Sequence, residues 1–255
     1  MNARLGAPGW VDLSTSDVPA ARTFYEGLFG WTSQDMSVPG GPDYTMFFLD
    51  GKEVAGMGPQ DPAAAAAGAP SAWLTVLLVG DVDAATADVD GLGGTVVMPA
   101  MDVMTQGRMS VIQDPSGAIV ALWQAIDHHG AQVFNEPGSL MWNELDTRDR
   151  DRALSFYSEL LGWRWETDDN GYCTAFLGDD SQPVAGAMDM PAMVPAEAPS
   201  YWMVYFAVSD CDEAVARTQE LGGQVFLPPM PMGPGRFAGI VDPAGAMLMI
   251  GHRDS

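Results

Sequence analysis

The chain has 255 residues, 47% of them hydrophobic, with 29 Gly and 19 Pro, which is enough for one large domain or two ordinary ones with a real core. Its 34 acidic and 11 basic residues leave a formal net charge of −23, and Lys52 is the only lysine. Such a field repels nucleic acid phosphates and anionic lipid, so neither is expected as a partner. No apolar run reaches the roughly 18 residues of a membrane span.

The N-terminal stretch "MNARLGAPGW" has one Arg and no apolar core, so it does not read as a signal peptide. Two elements then follow in order. "WVDLSTSD" alternates like a strand and ends in cap chemistry. "VPAARTFYEGLFG" carries Ala21, Phe24, Tyr25 and Leu28 at helical spacing and closes on Gly30. Short strands are expected around 43–49 and 53–57. "DPAAAAAGAP", from Asp61 to Pro70, reads as a linker loop. The order then recurs: "WLTVLLV" as strand, Val82 to Leu92 as helix, and "TVVMP", "RMSVIQD" and "AIVALWQ" as strands. Phe24 and Tyr25 read as core anchors of their helix rather than catalytic groups, as do Phe156 and Tyr157.

The strongest signal is an internal repeat. "WVDLSTSDVPAARTFYEGLFGW" from Trp10 lies over "WNELDTRDRDRALSFYSELLGW" from Trp142 without a gap. "PSAWLTVLLVGDVDAATADVDGLGG" lies over "PSYWMVYFAVSDCDEAVARTQELGG", and "GRMSVIQDPSGAIVAL" over "GRFAGIVDPAGAMLMI". The offsets are 132, 129 and 128, so only loops differ in length. The expected organisation is a first domain over 5–126, a linker over 127–137 and a second domain over 138–253. Cys173 and Cys211 form no disulfide framework, and a reduced, cytoplasmic location fits them.

These stretches together resemble the vicinal oxygen chelate superfamily, the glyoxalase, bleomycin resistance and extradiol dioxygenase group. The resemblance implies an α+β fold of two tandem glyoxalase-like domains. Each would be a pair of βαβββ modules whose sheet curls into a ligand-holding cup. Family enzymes place His, Glu or Gln metal ligands on the first, fifth and eighth strands of a domain. Carried over by the Phe-Tyr, V-x-D-x-D and D-P-x-G landmarks, those positions are Trp10, Leu74 and Ala121, then Trp142, Met203 and Met249. None of the six is a donor for a hard divalent ion. His128 and His129 fall in the linker and His252 near the C-terminus, so no metal site and no cofactor are expected.

Residues two apart on a strand share a face. Trp10 and Asp12 therefore go with Leu74, Ala121 and Trp123. Trp142, Glu144 and Asp146 go with Met203, Tyr205 and Met249. Arg108 and Arg236 hold equivalent places on a methionine-rich rim, where each is expected to pair with Asp12 or Glu144 or to bind a ligand carboxylate. An apolar, aromatic cavity with few polar groups suits a small molecule. The first expectation is therefore a metal-independent protein that binds an aromatic or amphipathic small molecule, with antibiotic sequestration as one form of it. The alternative is a metal-independent lyase, isomerase or cyclase with Glu144 or Asp12 as general base. A divalent-metal enzyme ranks third, and a scaffold with closed cups is a fourth reading. The acidic balance reads either as a solvated surface or as steering of a cationic ligand, and the assembly as monomer or homodimer.

Overall fold

The computed structural model describes residues 3–192, 194–233 and 235–253. The first module opens with β1 (Pro8–Thr15) and α1 (Val18–Phe29). The Asp17 carboxylate caps α1 by accepting from the Ala20 N–H at 3.0 Å. Gly30 ends it in the left-handed conformation, φ 70°, with its N–H on the Glu26 carbonyl, a geometry a Cβ would disfavour. Then come β2 (Thr32–Met36), β3 (Tyr44–Leu49) and β4 (Lys52–Pro59). The edge strand β2 has no counterpart among the expected elements, because it is mostly exposed and shows no apolar alternation.

The stretch expected to be a plain linker forms a short helix, α2 (Pro62–Ala66). Asp61 accepts from the Ala63 and Ala64 N–H groups, and the alanine run does the rest. The second module has β5 (Ala72–Leu78), α3 (Val82–Asp88), β6 (Thr95–Val103), β7 (Gly107–Gln113) and β8 (Ile119–Ala125). Helix α3 ends earlier than its apolar spacing suggests.

The second half repeats this order. It contains β9 (Leu140–Thr147), α4 (Arg150–Leu161), β10 (Trp163–Thr167), β11 (Cys173–Leu177) and β12 (Pro183–Asp189). Then follow β13 (Tyr201–Ala207), α5 (Cys211–Glu220), β14 (Gln224–Met232), β15 (Gly235–Val241) and β16 (Met247–Arg253). The strands form two mixed eight-stranded sheets, ordered β2-β3-β4-β1-β5-β8-β7-β6 and β10-β11-β12-β9-β13-β16-β15-β14. The fold is thus α+β with two tandem glyoxalase-like domains.

Packing groups the chain into two compact units. One contains the residues through Trp10, 75–130 and 142–203; the other contains 11–74, 131–141 and the residues from Val204 onward. In the second of these, Phe24, Tyr25, Phe29, Trp31, Phe47, Trp73 and Phe206 form an aromatic core. In the first, Phe156, Tyr157, Trp163 and Trp202 pack with Leu77, Val120 and Leu122.

Each core holds the same buried relay. The Trp73 Nε1–H donates to Tyr25 Oη at 2.9 Å, and Tyr25 donates to Asp242 Oδ2 at 3.0 Å. Trp202 Nε1–H donates to Tyr157 at 2.9 Å, and Tyr157 to Asp114 Oδ2 at 3.0 Å. The other oxygen of each aspartate closes its own D-P-x-G turn, Asp114 on the Ser116 and Ala118 N–H groups and Asp242 on those of Ala244 and Ala246. Burial, then the neighbouring carboxylate charge, holds both phenols well above their usual pKa. They are therefore neutral donors, as their reading as core anchors requires. Removing either hydroxyl strands a buried indole N–H and a buried carboxylate oxygen. Tyr25→Phe and Tyr157→Phe are each expected to cost about 1–3 kcal/mol in urea unfolding; an unchanged midpoint would show that the relay contributes nothing.

Candidate functional site

The strand faces follow from alternation. Val11 and Leu13 point into one core and Leu145 into the other, so Trp10, Asp12, Trp142, Glu144 and Asp146 stand on the opposite, helix-free faces. Register places their neighbours. Asp12 lies beside Gly56 of the parallel strand β4, and Glu144 beside Gly186 of β12. Val76 lies opposite Ala121 and Leu78 opposite Trp123, so Leu74, Ala121 and Trp123 face the same way. Tyr205 lies opposite Met249, with Met203 two residues earlier on the same face.

The two copies are built differently around this common frame. In the first half Tyr44 donates to Asp12 Oδ1. Gly56 permits that pair, because a Cβ there would overlap the phenol oxygen and the carboxylate. Trp10 is buried, with its ring edge-on to His128 at 4.4 Å. His128 also meets Trp123 at 5.8 Å, and Trp123 Nε1–H donates to the His128 carbonyl at 2.9 Å. His128 was expected only as a linker residue, yet it stands beside both tryptophans because the chain after β8 turns back over them.

The second half gathers a denser set. The Trp142 Nε1–H donates to Tyr172 Oη at 2.8 Å, and the Tyr172 hydroxyl bonds the Glu144 carboxylate. Gly186 makes room for both, since a Cβ there would occupy the place of the Tyr172 hydroxyl. The Tyr201 hydroxyl stands close enough to the Asp146 carboxylate for the two to perturb each other's titration. Glu144 is 6% exposed and Asp146 5%, and Asp146 Oδ1 is enclosed without a hydrogen-bond partner. Burial, reinforced by the Glu144 charge, raises the Asp146 carboxyl to a pKa of about 7. Burial and the nearby carboxylates raise both phenols above their usual range, so they act as neutral donors. Arg148 does not neutralise Asp146: its guanidinium binds the Ala198 and Pro195 carbonyls at 2.8 and 2.6 Å. The site therefore combines half-buried aromatics, two buried carboxyls and phenolic donors, a set suited to binding a polar group or moving a proton.

Two expected contacts are corrected. Arg108 makes a bidentate pair with Asp83 of α3 at 2.8 Å and also binds Asp102; Arg236 pairs with Asp212 of α5 at 2.6 and 2.9 Å. Neither pairs with Asp12 or Glu144. Arg108 shares its register row with Gln124, which binds the Val82 N–H at the start of α3, whereas Met109 shares Trp123's row. Adjacent strand residues point to opposite faces, so both arginines serve the first turns of helices. Phe237, next to Arg236, is the residue whose ring meets Tyr205, at 6.1 Å. Tyr44, Tyr172 and Tyr201 were missed because nothing local marks them: each lies at the margin of its strand and acquires its role from a neighbour distant in sequence.

The six positions expected from the sequence to correspond to the family's metal ligands, Trp10, Leu74, Ala121, Trp142, Met203 and Met249, offer no hard oxygen or imidazole donor. Among the described residues no group of three or more His, Cys, Asp or Glu is disposed to hold a metal ion. The residues present do not fit the divalent centre that this fold family implies.

Tandem βαβββ modules with an aromatic and acidic face at the centre of each sheet define a glyoxalase-like protein. The chain matches the family model "Glyoxalase/Bleomycin resistance protein/Dioxygenase superfamily" over residues 7–122 and 140–250, and it belongs to that superfamily. It is 44% identical over 253 residues to "Putative glyoxylase CFP32" of Mycobacterium tuberculosis, covering 97% of this chain and 95% of that one. It is 40% identical over 252 residues to the anthracycline biosynthesis protein DnrV of Streptomyces peucetius, covering 94% and 91%. In fold it resembles the Mn(II)-bound glyoxalase from Novosphingobium aromaticivorans, with a TM-score of 0.67 at 16% identity, covering 98% of this chain and 82% of that one. It also resembles homoprotocatechuate 2,3-dioxygenase from Arthrobacter globiformis, with a TM-score of 0.67 at 17% identity, covering 100% and 81%. Among the described residues no helix is long and apolar enough to cross a membrane, and Cys173 and Cys211 are free and buried.

The raised Asp146 carboxyl carries a pH signature. Its folded pKa, about 7, lies above the unfolded value of 3.8, so the folded state binds the extra proton and loses stability as pH rises from about 4 to about 7. Asp146→Asn mimics the protonated form. It is expected to raise stability at pH 8 by roughly 2–4 kcal/mol and to change little at pH 4. Equal effects at both pH values in urea unfolding would refute the assignment.

Proposed function

We propose that this protein binds a flat aromatic or amphipathic small molecule on the helix-free sheet faces, with no divalent metal at the family's ligand positions. What supports this reading is that the six positions expected to hold the family's ligands carry aromatic, aliphatic or thioether side chains, with a phenol-bound acid two residues beyond each tryptophan. Such a surface provides stacking area and a few oriented polar groups, the usual make-up of a small-molecule site. The methionines at 203 and 249 adapt to shape. Two relatives at 40% identity are named for anthracycline biosynthesis, and a polycyclic aromatic of that kind belongs to the ligand class the residues suit.

A second reading rests on the titration of Asp146 near neutrality beside Glu144. A carboxyl poised there exchanges a proton with a bound ligand, and Glu144 would act as general base in a metal-free lyase, isomerase or cyclase. Asp12, held by Tyr44, is the corresponding group of the first half.

Titrating an anthracycline into chelator-treated protein, followed by tryptophan fluorescence, tests the first reading. Saturable quenching is expected, weakened about tenfold or more by Trp142→Ala. No saturable binding, or a stoichiometric divalent metal that binding requires, would overturn it. If bound ligand turns over, Glu144→Gln is expected to slow turnover by about a hundredfold or more while binding persists.

A further inference from the structure

The two copies differ at two positions that face the same way. The first half has Ser14 and Ala72 where the second has Asp146 and Tyr201. As a result the second half buries two carboxyls on one strand face where the first has one. Burying a second acid beside a first is costly unless something offsets it. Asp146 Oδ1 is enclosed with no hydrogen-bond partner, in a side chain 5% exposed. The groups that act on Asp146 are Glu144 on its own strand and Tyr201 of β13, and Tyr172, just before β11, feels the charge of both acids. None of these is cationic, and Arg148, two residues along, turns its Nε and Nη2 to the Ala198 and Pro195 carbonyls. An enclosed acceptor beside a second carboxylate, bordered by the half-buried rings of Trp142 and Tyr172, has the make-up of a cation site.

We propose that Glu144 and Asp146, with Trp142 and Tyr172, form a cation-binding subsite, so that the ligand is a flat aromatic carrying a protonated nitrogen, one per chain. This deepens the binding reading above and rests on it. The cation's N–H donates to Asp146 Oδ1 and is balanced by the pair's charge, while the aromatic body lies over apolar residues of the same face. The raised Asp146 pKa adds a pH dependence, because the second negative charge develops as pH rises through about 7. The −23 net charge strengthens attraction of a cation to the whole surface, so the test must separate the subsite from the field.

The probes are proflavine, a flat tricyclic cation, and phenazine, a flat tricycle that stays neutral. Calorimetric titration at pH 8 is expected to give one proflavine per chain, bound at least tenfold more tightly than phenazine. That preference should shrink to about threefold or less in Asp146→Asn and in Glu144→Gln, with folding checked by circular dichroism. In the unmodified protein it should also shrink between pH 8 and pH 6. Equal binding of the two probes would overturn the cation subsite and leave the aromatic-binding reading standing. A preference that survives both folded variants would assign it to the general field and overturn the subsite. Two proflavine molecules per chain would overturn the single site. If neither variant folds, the pH profile decides, and a preference unchanged from pH 8 to pH 6 overturns the proposal. Failure of both probes to bind would bring down the binding reading and the subsite together.

Discussion

One carboxylate in each core has two tasks that cannot be separated. Asp242 uses one oxygen to close its turn and the other to receive Tyr25; Asp114 does the same for Tyr157. A buried carboxylate is costly unless its oxygens are occupied, so the turn and the helix that delivers the tyrosine stabilise one another. The duplicated octapeptides are therefore tied to the duplicated D-P-x-G turns. With α1 and α4 fixed against one face of β1 and β9, the alternate residues of those strands are left on the other face, and that is where the candidate site lies.

The duplication preserved the frame and let the chemistry diverge. Trp10 and Trp142, Asp12 and Glu144, Tyr44 and Tyr172, Gly56 and Gly186 occupy matching places. Glycine is required beside each acid because the phenol hydroxyl occupies the space a Cβ would fill. In the first half Trp10 is buried beside His128 and Trp123, whereas Trp142 stays half exposed over a more acidic floor. Two copies of one sheet thus present an aromatic cluster in one case and a paired-carboxyl cluster in the other.

The family resemblance and the site pull in different directions, and the difference is chemical. The fold is shared with Mn(II)-bound and ring-cleaving relatives, but a fold carries no donors of its own. At the positions expected to correspond to metal ligands this chain has indole, aliphatic and thioether groups. Its acids stand two and four residues beyond Trp142, at Glu144 and Asp146, where strand alternation keeps them on the same face.

Much of this was readable in the chain itself. The repeat, the element order and the shared faces of Trp10 with Asp12 and of Trp142 with Glu144 follow from periodicities that each residue carries with its immediate neighbours. The tyrosines that bind the acids, the direction of Arg108 and Arg236, the place of His128 and the enclosed oxygen of Asp146 do not. Each depends on which strand lies beside which and in what register, and a shift of one residue reverses the outcome, as Arg108 and Met109 show. Local pattern determined the elements and the faces. Only the tertiary structure decided the partners, because pairing across tens of residues is set by the packing of the whole sheet and not by any segment within it.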